Sequence, residues 1–277
     1  MDLELYCLEK SGLIDRSLGN YVEKYENPLR ELIQYCLLSG GKRFRPILVL
    51  ATLESLGKDP LAGIPAACAI ECVHAFSLVH DDMPCMDNDD FRRNMPTCHR
   101  KYGEGNALLA GDALIILAFQ ILADENTCSY DKSLAAIREL AMASGTQGMI
   151  GGQYLEMASQ GPSLSEEDLT FIHHCKTAAL IKAALRIGAI LADASDRDIQ
   201  ALSDYGEAIG LLFQLVDDII DSETKKESAS FTTLLGREES IKRTRKLADS
   251  AGKALENFTG DKEIFTCIIE FLLNRKR

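Results

Sequence analysis

The sequence has no CxxC pair, no long apolar run and no excess of basic residues, and each absence argues against a class of protein. Its nine cysteines are scattered, which suits reduced thiols and not a disulfide framework or a zinc knuckle. The net charge of −12 opposes attraction to nucleic acid. The longest apolar runs fall short of the ~20 residues that cross a bilayer, and the first residues lack a basic region followed by an apolar block. We therefore expect a cytoplasmic protein without membrane insertion.

Proline is also scarce, and no proline follows Pro162. Because proline ends or kinks helices, the C-terminal part of the chain is free to form long ones. Several segments are rich in Ala, Leu, Ile and Glu and lack the alternating period of strands. They cover residues 66–80, 107–123, 134–158, 169–191 and 198–221. No break between them is long enough to be a linker, so the sequence predicts an all-α fold with a single domain over residues 1–277.

A dense group of carboxylates follows the apolar segment 76–79. Residues 80–90 read HDDMPCMDNDD, and their aspartates are Asp81, Asp82, Asp87, Asp89 and Asp90. Such a density is costly unless a cation binds there. A solvated acidic helix end is the alternative interpretation, although the apolar residues directly before it argue against that.

A second acidic group lies inside an apolar helical segment. Gln214, Asp217, Asp218 and Asp221 are spaced i, i+3, i+4 and i+7, so they share one helix face. Their carboxylates repel each other, which makes a plain core role hard to sustain. Mg²⁺ prefers oxygen ligands and takes one or two carboxylates together with phosphate oxygens. The two groups predict a magnesium site that holds a diphosphate.

Two basic elements fit a small anionic ligand. Lys42, Arg43 and Arg45 lie in the stretch GGKRFRP (40–46), and Arg92 and Arg93 follow the first acidic group. Guanidinium groups bind phosphate oxygens in pairs, and lysine adds a point charge. Solvated surface arginines are the alternative. The first element is not a P-loop, because arginine follows the lysine where that loop has Ser or Thr.

Together these residues resemble the trans-isoprenyl diphosphate synthase family, over about residues 37–236. The motifs that carry the resemblance occur in the family's order: GGKRFRP (40–46), ECVHAFSLVHDDMPCMDNDDFRRNMPTCH (71–99), GGQ (151–153), HHCKTAALI (173–181) and LLFQLVDDIID (211–221). The resemblance implies a helical bundle around a deep central cavity. It also implies that three Mg²⁺ ions are held by two aspartate motifs, Asp81, Asp82 and Asp87 in the first and Asp217, Asp218 and Asp221 in the second.

The resemblance further implies roles for individual residues. The groups expected to hold the diphosphate of isopentenyl diphosphate are Lys42, Arg45, His74 and Arg93. The allylic diphosphate would contact Arg92 and Lys176, while Thr177 and Gln214 would line the reacting centre. The expected catalytic set is Asp81, Asp82, Arg92, Lys176, Thr177, Gln214 and Asp217. For His74 the alternative is a packed core histidine, which is the more common role of a lone helical histidine.

Phe76, with its neighbour Ser77, is expected to set the length of the product. Phe76 precedes Asp81 by five residues, about 7.5 Å along a helix, where an aromatic ring would act as a floor under the growing chain. Bacterial-type farnesyl synthases are similar in having an aromatic residue there. The resemblance thus implies a homodimeric prenyltransferase that condenses isopentenyl diphosphate with dimethylallyl or geranyl diphosphate to farnesyl diphosphate.

The chain departs from the family's pattern at three places. The loop after the second aspartate motif lacks the usual lysine, which Lys225 or Lys226 would have to replace. Asn94 stands where glycine is common, and Glu156 where aspartate is common.

Other functions remain open at this point. They are a geranylgeranyl diphosphate synthase with a C20 product, a class I terpene cyclase, a metal phosphohydrolase of the HD type and a non-catalytic subunit of a prenyltransferase heteromer.

Overall fold

The computed structural model describes residues 1–24, 28–124, 128–158, 165–222 and 230–275. Over these residues the backbone is almost entirely helical. The α-helices, in chain order, are α1 (Leu3–Lys24), α2 (Arg30–Leu38), α3 (Phe44–Ser55), α4 (Ile64–Asp81), α5 (Cys98–Tyr102), α6 (Glu104–Ala123), α7 (Tyr130–Ser144), α8 (Met149–Ala158), α9 (Glu166–His173), α10 (Ala179–Leu191), α11 (Asp196–Asp221), α12 (Phe231–Leu235), α13 (Arg237–Glu256) and α14 (Glu263–Asn274). The predicted all-α fold class is confirmed.

Three short elements interrupt the α-helices. A 3₁₀ turn over Pro60–Gly63 leads into α4, and a π-helical turn over His174–Ala178 joins α9 to α10. Two strands, β1 (Phe91–Arg92) and β2 (Met95–Pro96), form an antiparallel hairpin directly after the first acidic group. The sequence pattern indicated neither the π-helical turn nor the hairpin.

Contacts between Cα atoms divide the chain into two compact units. The first unit comprises Asp2–Leu50 and Asp59–Ile137, and the second comprises Met1, Ala51–Lys58 and Arg138–Arg277. The first aspartate motif lies in the first unit and the second motif in the second unit. A single domain over residues 1–277 and a central cavity stay predictions.

Helix α4 is the core of the first unit. Pro65 occupies its first turn, where a missing backbone N–H costs nothing, and most of its remaining residues are buried. It packs against α6, and Gly111 of α6 lies against the ring of His80, whose Nε2 is 3.2 Å from the carbonyl oxygen of Leu108. The two helices therefore approach closely at the end of α4 that carries the aspartates.

Two helical stretches, Pro60–Asp81 and Glu104–Ala123, are long and apolar enough to cross a membrane by length and composition alone. The most apolar window of the first is 67% buried inside the protein and that of the second 44%. The burial of the first stretch is typical of a core helix, whose apolar side chains already have partners, whereas less than half of the second window is buried. The absence of membrane insertion stays a prediction.

Helix α11 is the core of the second unit and packs against α10 and α13. It begins at a Ser195 cap, whose hydroxyl accepts a hydrogen bond from the backbone N–H of Asp198. The fully buried Tyr205 donates its hydroxyl to the carbonyl oxygen of Phe265, at 2.9 Å. Because this partner satisfies the buried hydroxyl, α11 is fixed against α14 without a polar penalty.

Four of the five predicted helical segments correspond to observed helices, with α9, the π-helical turn and α10 together covering 169–191. The prediction of one helix over 134–158 was wrong. The segment is divided between α7 and α8 by a turn over residues 145–148, which begins with Gly145 and ends with Gly148. Glycine is a poor helix former because ordering it costs the most backbone entropy.

We expect Gly111→Ala to destabilise the protein by about 1–3 kcal/mol, because a methyl group there would overlap the imidazole of His80. Gly105→Ala is the matched control on the same helix, since its methyl group would meet no atom within 4 Å; it should leave stability unchanged or raise it by up to about 1 kcal/mol. Urea unfolding of both variants provides the measurement. Equal stabilities would contradict the close approach of α4 and α6.

Candidate active site

The first aspartate motif forms a compact turn at the C-terminal end of α4. The helix ends at Asp81, and the backbone N–H of Asp87 returns to donate to the carbonyl oxygen of Asp81, at 2.8 Å. Asn88, with a φ of +56°, donates its N–H to the carbonyl oxygen of Met83. Asparagine tolerates this left-handed conformation better than most residues. The turn therefore brings Asp87 back beside the end of the helix.

Arg92 is the internal counter-ion of this motif. Its Nε lies 2.9 Å from Oδ1 of Asp82, its Nη2 contacts the same oxygen, and Nη2 is 3.4 Å from Asp89. Burial raises the pKa of the Asp82 carboxyl, and the Arg92 guanidinium acts in the opposite direction. An anion that binds Arg92 would share a guanidinium already oriented by Asp82.

The β1–β2 hairpin places Arg93 beside the GGKRFRP stretch. Arg93 and Asn94 form the two-residue loop, with φ values of +53° and +63°, as a type I′ turn requires. The Nη1 of Arg93 donates to the carbonyl oxygen of Gly40, and a methyl group at Gly41 would lie 2.6 Å from the guanidinium. The positive φ at position 94 explains why asparagine can stand there in place of glycine.

Arg45 and His74 meet next to this contact. Nη1 of Arg45 is 3.5 Å from Nε2 of His74. Desolvation, followed by the charges of Arg45 and Arg93, holds the pKa of His74 well below its usual value, so its ring is neutral at pH 7. Of the four groups predicted to bind isopentenyl diphosphate, Arg45, His74 and Arg93 thus share one electrostatic environment. The fourth, Lys42, is exposed and adjacent in the chain.

The two residues predicted to set product length lie on α4. Phe76 is 6% exposed, and its ring meets the ring of His80 edge-on, with centroids 5.9 Å apart. The hydroxyl of Ser77 donates to the carbonyl oxygen of His74, at 2.9 Å. Because Gly111 and Leu108 fix His80, the Phe76 ring has a defined neighbour.

In the second unit a chain of hydrogen bonds joins three predicted site residues. The hydroxyl of Thr177 donates to Oε1 of Gln214 at 2.9 Å, and Nε2 of Gln214 donates to Oδ1 of Asp218 at 2.9 Å. The other oxygen of Asp218 accepts the backbone N–H of Phe231, also at 2.9 Å. The buried Asp218 therefore connects the second motif to the start of α12.

Lys176 and Thr177 lie in the π-helical turn, an element found frequently at functional sites. Nζ of Lys176 is 2.5 Å from Oε2 of Glu156. The glutamate that stands at position 156, where aspartate is common, therefore still pairs with Lys176. A methyl group at Gly152, the second glycine of the GGQ motif, would lie 2.6 Å from the backbone nitrogen of Lys176. The absence of a side chain at Gly152 lets α8 approach the π-helical turn.

Sequence reasoning missed the partner of Asp217. Nη1 of Arg275 lies 2.6 Å from Oδ1 of Asp217, and its guanidinium stacks 5.2 Å from the ring centroid of Phe213. No spacing rule connects positions so far apart in sequence. Lys225 and Lys226, the expected replacements for the missing loop lysine, lie outside the described residues.

Arg43 differs from the expectation of an anion-binding side chain, because it is buried. Its guanidinium contacts Asp15, Glu71 and the carbonyl oxygen of Leu37. Nothing in the sequence distinguishes it from Lys42 and Arg45, since the three cationic residues lie within four positions of each other.

The donor set of the aspartate motifs fits Mg²⁺. Carboxylate oxygens are hard ligands, and Mg²⁺ usually binds one or two of them and fills its shell with water and phosphate oxygens. Among the described residues, no three His, Cys, Asp or Glu side chains converge tightly enough to hold an ion.

Comparison with known proteins identifies the family of the chain. The family model described as polyprenyl synthetase matches residues 26–230. Farnesyl diphosphate synthase of Geobacillus stearothermophilus is 40% identical over 231 residues, which cover 82% of this chain and 78% of the relative. The chloroplastic heterodimeric geranylgeranyl pyrophosphate synthase large subunit 1 of Arabidopsis thaliana is 41% identical over 282 residues, which cover 94% and 76%. The apo structure of an FPP/GFPP synthase from Zymomonas mobilis has a TM-score of 0.91 at 36% identity, with 98% and 99% of the chains covered.

The fold and the similarity to these proteins define a helical trans-prenyltransferase. The chain belongs to the polyprenyl synthetase family. Its relatives bear both farnesyl and geranylgeranyl names, so the family alone does not fix the length of the product.

We expect Asp218→Asn to lower the free energy of unfolding by about 1–3 kcal/mol. The asparagine amide would place N–H groups against the donor of Gln214 or of Phe231, leaving a buried group unsatisfied. Asp204→Asn, an exposed change on the same helix, should stay within about 0.5 kcal/mol of the parent protein. Guanidinium chloride unfolding gives both values, and similar losses in the two variants would contradict the structural role of Asp218.

Proposed function

We propose that the chain is a farnesyl diphosphate synthase. It condenses isopentenyl diphosphate head-to-tail with dimethylallyl or geranyl diphosphate and releases (2E,6E)-farnesyl diphosphate. The observation that carries the product length is the buried Phe76, five residues before Asp81 on the helix that ends in the first aspartate motif. At 1.5 Å per residue, the Cα atom of Phe76 lies about 7.5 Å along the axis from that of Asp81.

The cationic residues of the first unit support the substrate assignment. Arg45 and Arg93, with the exposed Lys42, supply charge for the diphosphate of isopentenyl diphosphate. A neutral His74 adds a ring nitrogen that donates or accepts without further positive charge. Arg92 and Lys176 would contact the allylic diphosphate, and each is already oriented by a carboxylate, Asp82 and Glu156 respectively.

Ionisation of the allylic substrate breaks its C1–O bond, and the electron pair leaves with the diphosphate. Mg²⁺ bound at the two aspartate motifs would neutralise the charge of that leaving group, and we propose three such ions. Arg92 and Lys176 stabilise the same developing negative charge. Thr177 and Gln214, joined by their hydrogen bond, line the reacting centre. The double bond of isopentenyl diphosphate then attacks C1, and the released diphosphate takes the proton that leaves.

A C20 product is the second candidate. It is favoured by the relatives named geranylgeranyl pyrophosphate synthase, at about the same identity as the farnesyl synthases. The two candidate functions use the same diphosphate sites. They would differ in how much hydrocarbon chain the predicted cavity admits.

Incubation with Mg²⁺, isopentenyl diphosphate and geranyl diphosphate should give a C15 product, measured by chromatography of the dephosphorylated alcohols. Asp81→Ala should lower kcat by about 100-fold or more, because a carboxylate of the first motif is lost. Phe76→Ala should extend the product beyond C15 by removing the ring. A C20 product from the parent protein would overturn the assignment of Phe76, and a lack of any product would favour a non-catalytic subunit.

We also propose a homodimer in the cytoplasm. All nine cysteines are free thiols, which supports a reducing compartment. Leu109 and Ile116, seven residues apart on α6, are 52% and 58% exposed on a helix whose charged residues are Glu104 and Asp112. A second copy of the chain would cover this apolar face.

Light scattering should therefore give twice the 30.5 kDa mass of the chain. Ile116→Glu should shift the protein toward the monomer, because it places a charge within the apolar face. Ile241→Glu, at an exposed apolar residue of α13, is the matched control and should remain dimeric. A monomeric parent protein would contradict the dimer, and a dimeric Ile116→Glu would exclude this face of α6.

A further inference from the structure

Arg43 is a buried cation in the middle of an exposed, cationic segment. Its side chain is 1% exposed, whereas Gly41 and Lys42 before it are exposed. A side chain with so little exposed surface cannot reach a diphosphate at the surface of the unit. Its place in the GGKRFRP stretch therefore needs an explanation other than contact with substrate.

The guanidinium joins the segment to three helices. Nε lies 2.7 Å from Oδ1 of Asp15 on α1, Nη1 lies 2.5 Å from Oε1 of Glu71 on α4, and Nη2 donates to the carbonyl oxygen of Leu37 on α2, at 2.6 Å. These bonds leave the planar group in three directions, which a lysine ammonium on a single flexible stem cannot reproduce. The position of Arg43 is thus defined relative to all three helices.

The partner on α4 links Arg43 to a predicted substrate-binding residue. Glu71 is 2% exposed, and burial raises its pKa although Arg43 beside it favours the charged form. Glu71 precedes His74 by three residues, about one helical turn. Since His74 lies 3.5 Å from Arg45, the Arg43–Glu71 pair sets the position of the segment along the helix that carries His74.

The backbone gives independent support. Arg43 has a φ of +50°, a left-handed conformation that is uncommon for a residue with a side chain. Such a conformation persists where the surrounding contacts impose it. Here the three bonds of the guanidinium hold the residue between Lys42 and Arg45, so the directions of both flanking side chains depend on it.

We propose that Arg43 is a positioning residue, which holds Lys42, Arg45 and His74 in the arrangement that binds the diphosphate of isopentenyl diphosphate. This inference rests on the proposed function, because it takes isopentenyl diphosphate as the ligand of that cluster. Arg43 itself does not touch the substrate. Its loss should therefore affect one substrate and not the other.

The test measures binding of isopentenyl diphosphate by titration calorimetry, together with the KM of each substrate. Arg43→Gln should weaken binding and raise the KM for isopentenyl diphosphate by about tenfold or more, while the KM for geranyl diphosphate changes by less than about twofold. Arg43→Lys keeps the charge without the three bonds and should behave like Arg43→Gln. If Arg43→Lys binds as the parent protein does, charge alone is needed and the inference is wrong.

Arg186→Gln is the matched control. Arg186 also has three side-chain bonds, two to Glu139 and one to Ser203, but lies in the second unit outside the predicted site. It should lose stability without a selective change for isopentenyl diphosphate, and equal selective effects in Arg186→Gln and Arg43→Gln would overturn the proposal. Should Arg43→Gln fail to fold, Asp15→Ala, which removes one of the three partners, should give a smaller rise in the same KM, and an unchanged KM would count against the proposal.

The parent protein separates this inference from the proposed function. A parent that binds isopentenyl diphosphate but forms no product overturns the synthase assignment, and the calorimetry of the variants still decides the role of Arg43. A parent that does not bind isopentenyl diphosphate overturns the inference.

Discussion

The buried ion pair between Arg43 and Glu71 is the interaction on which the arrangement of the first unit depends. Burying two charges costs several kcal/mol for each, and their attraction offsets this only when further hydrogen bonds complete the geometry. Asp15 and the carbonyl oxygen of Leu37 supply those bonds. Because the pair is fixed by four parts of the chain, the segment before α3 cannot shift along α4 without leaving Glu71 buried and unpaired.

In the second unit, Lys176 and Thr177 lie on a helical segment that also packs against α8 and α11. The π-helical turn changes the direction in which these side chains leave the backbone. Gly152 and Gly210 lie against it from α8 and α11, and a methyl group at either would overlap the turn. Both glycines thus serve close packing, and the packing sets the distances from Lys176 to Glu156 and from Thr177 to Gln214.

Sequence alone was sufficient where a pattern is local. The density of aspartates in 81–90 and the i, i+3, i+4, i+7 spacing on α11 indicated the two acidic motifs, and low proline content indicated helices. It was insufficient where burial decides, since charge does not say whether Arg43 faces solvent or the core. The π-helical turn leaves no break in the apolar pattern, and the Arg275–Asp217 pair depends on how α14 packs against α11. The break between α7 and α8 did have a signal, Gly145 and Gly148, which the helical composition of 134–158 outweighed.

Each aspartate motif carries an arginine of its own unit, Arg92 at Asp82 and Arg275 at Asp217. An opposite charge at this distance favours the ionised carboxylate, and each arginine also orients the carboxylate that it contacts. The same arginines compete with a cation for those oxygens. If a metal–diphosphate complex binds here, Asp82 and Asp217 would hold the metal, and the guanidinium groups of Arg92 and Arg275 would be available for the phosphate oxygens. Without a ligand, each arginine offsets part of the negative charge of its own motif, which lowers the repulsion among the carboxylates there.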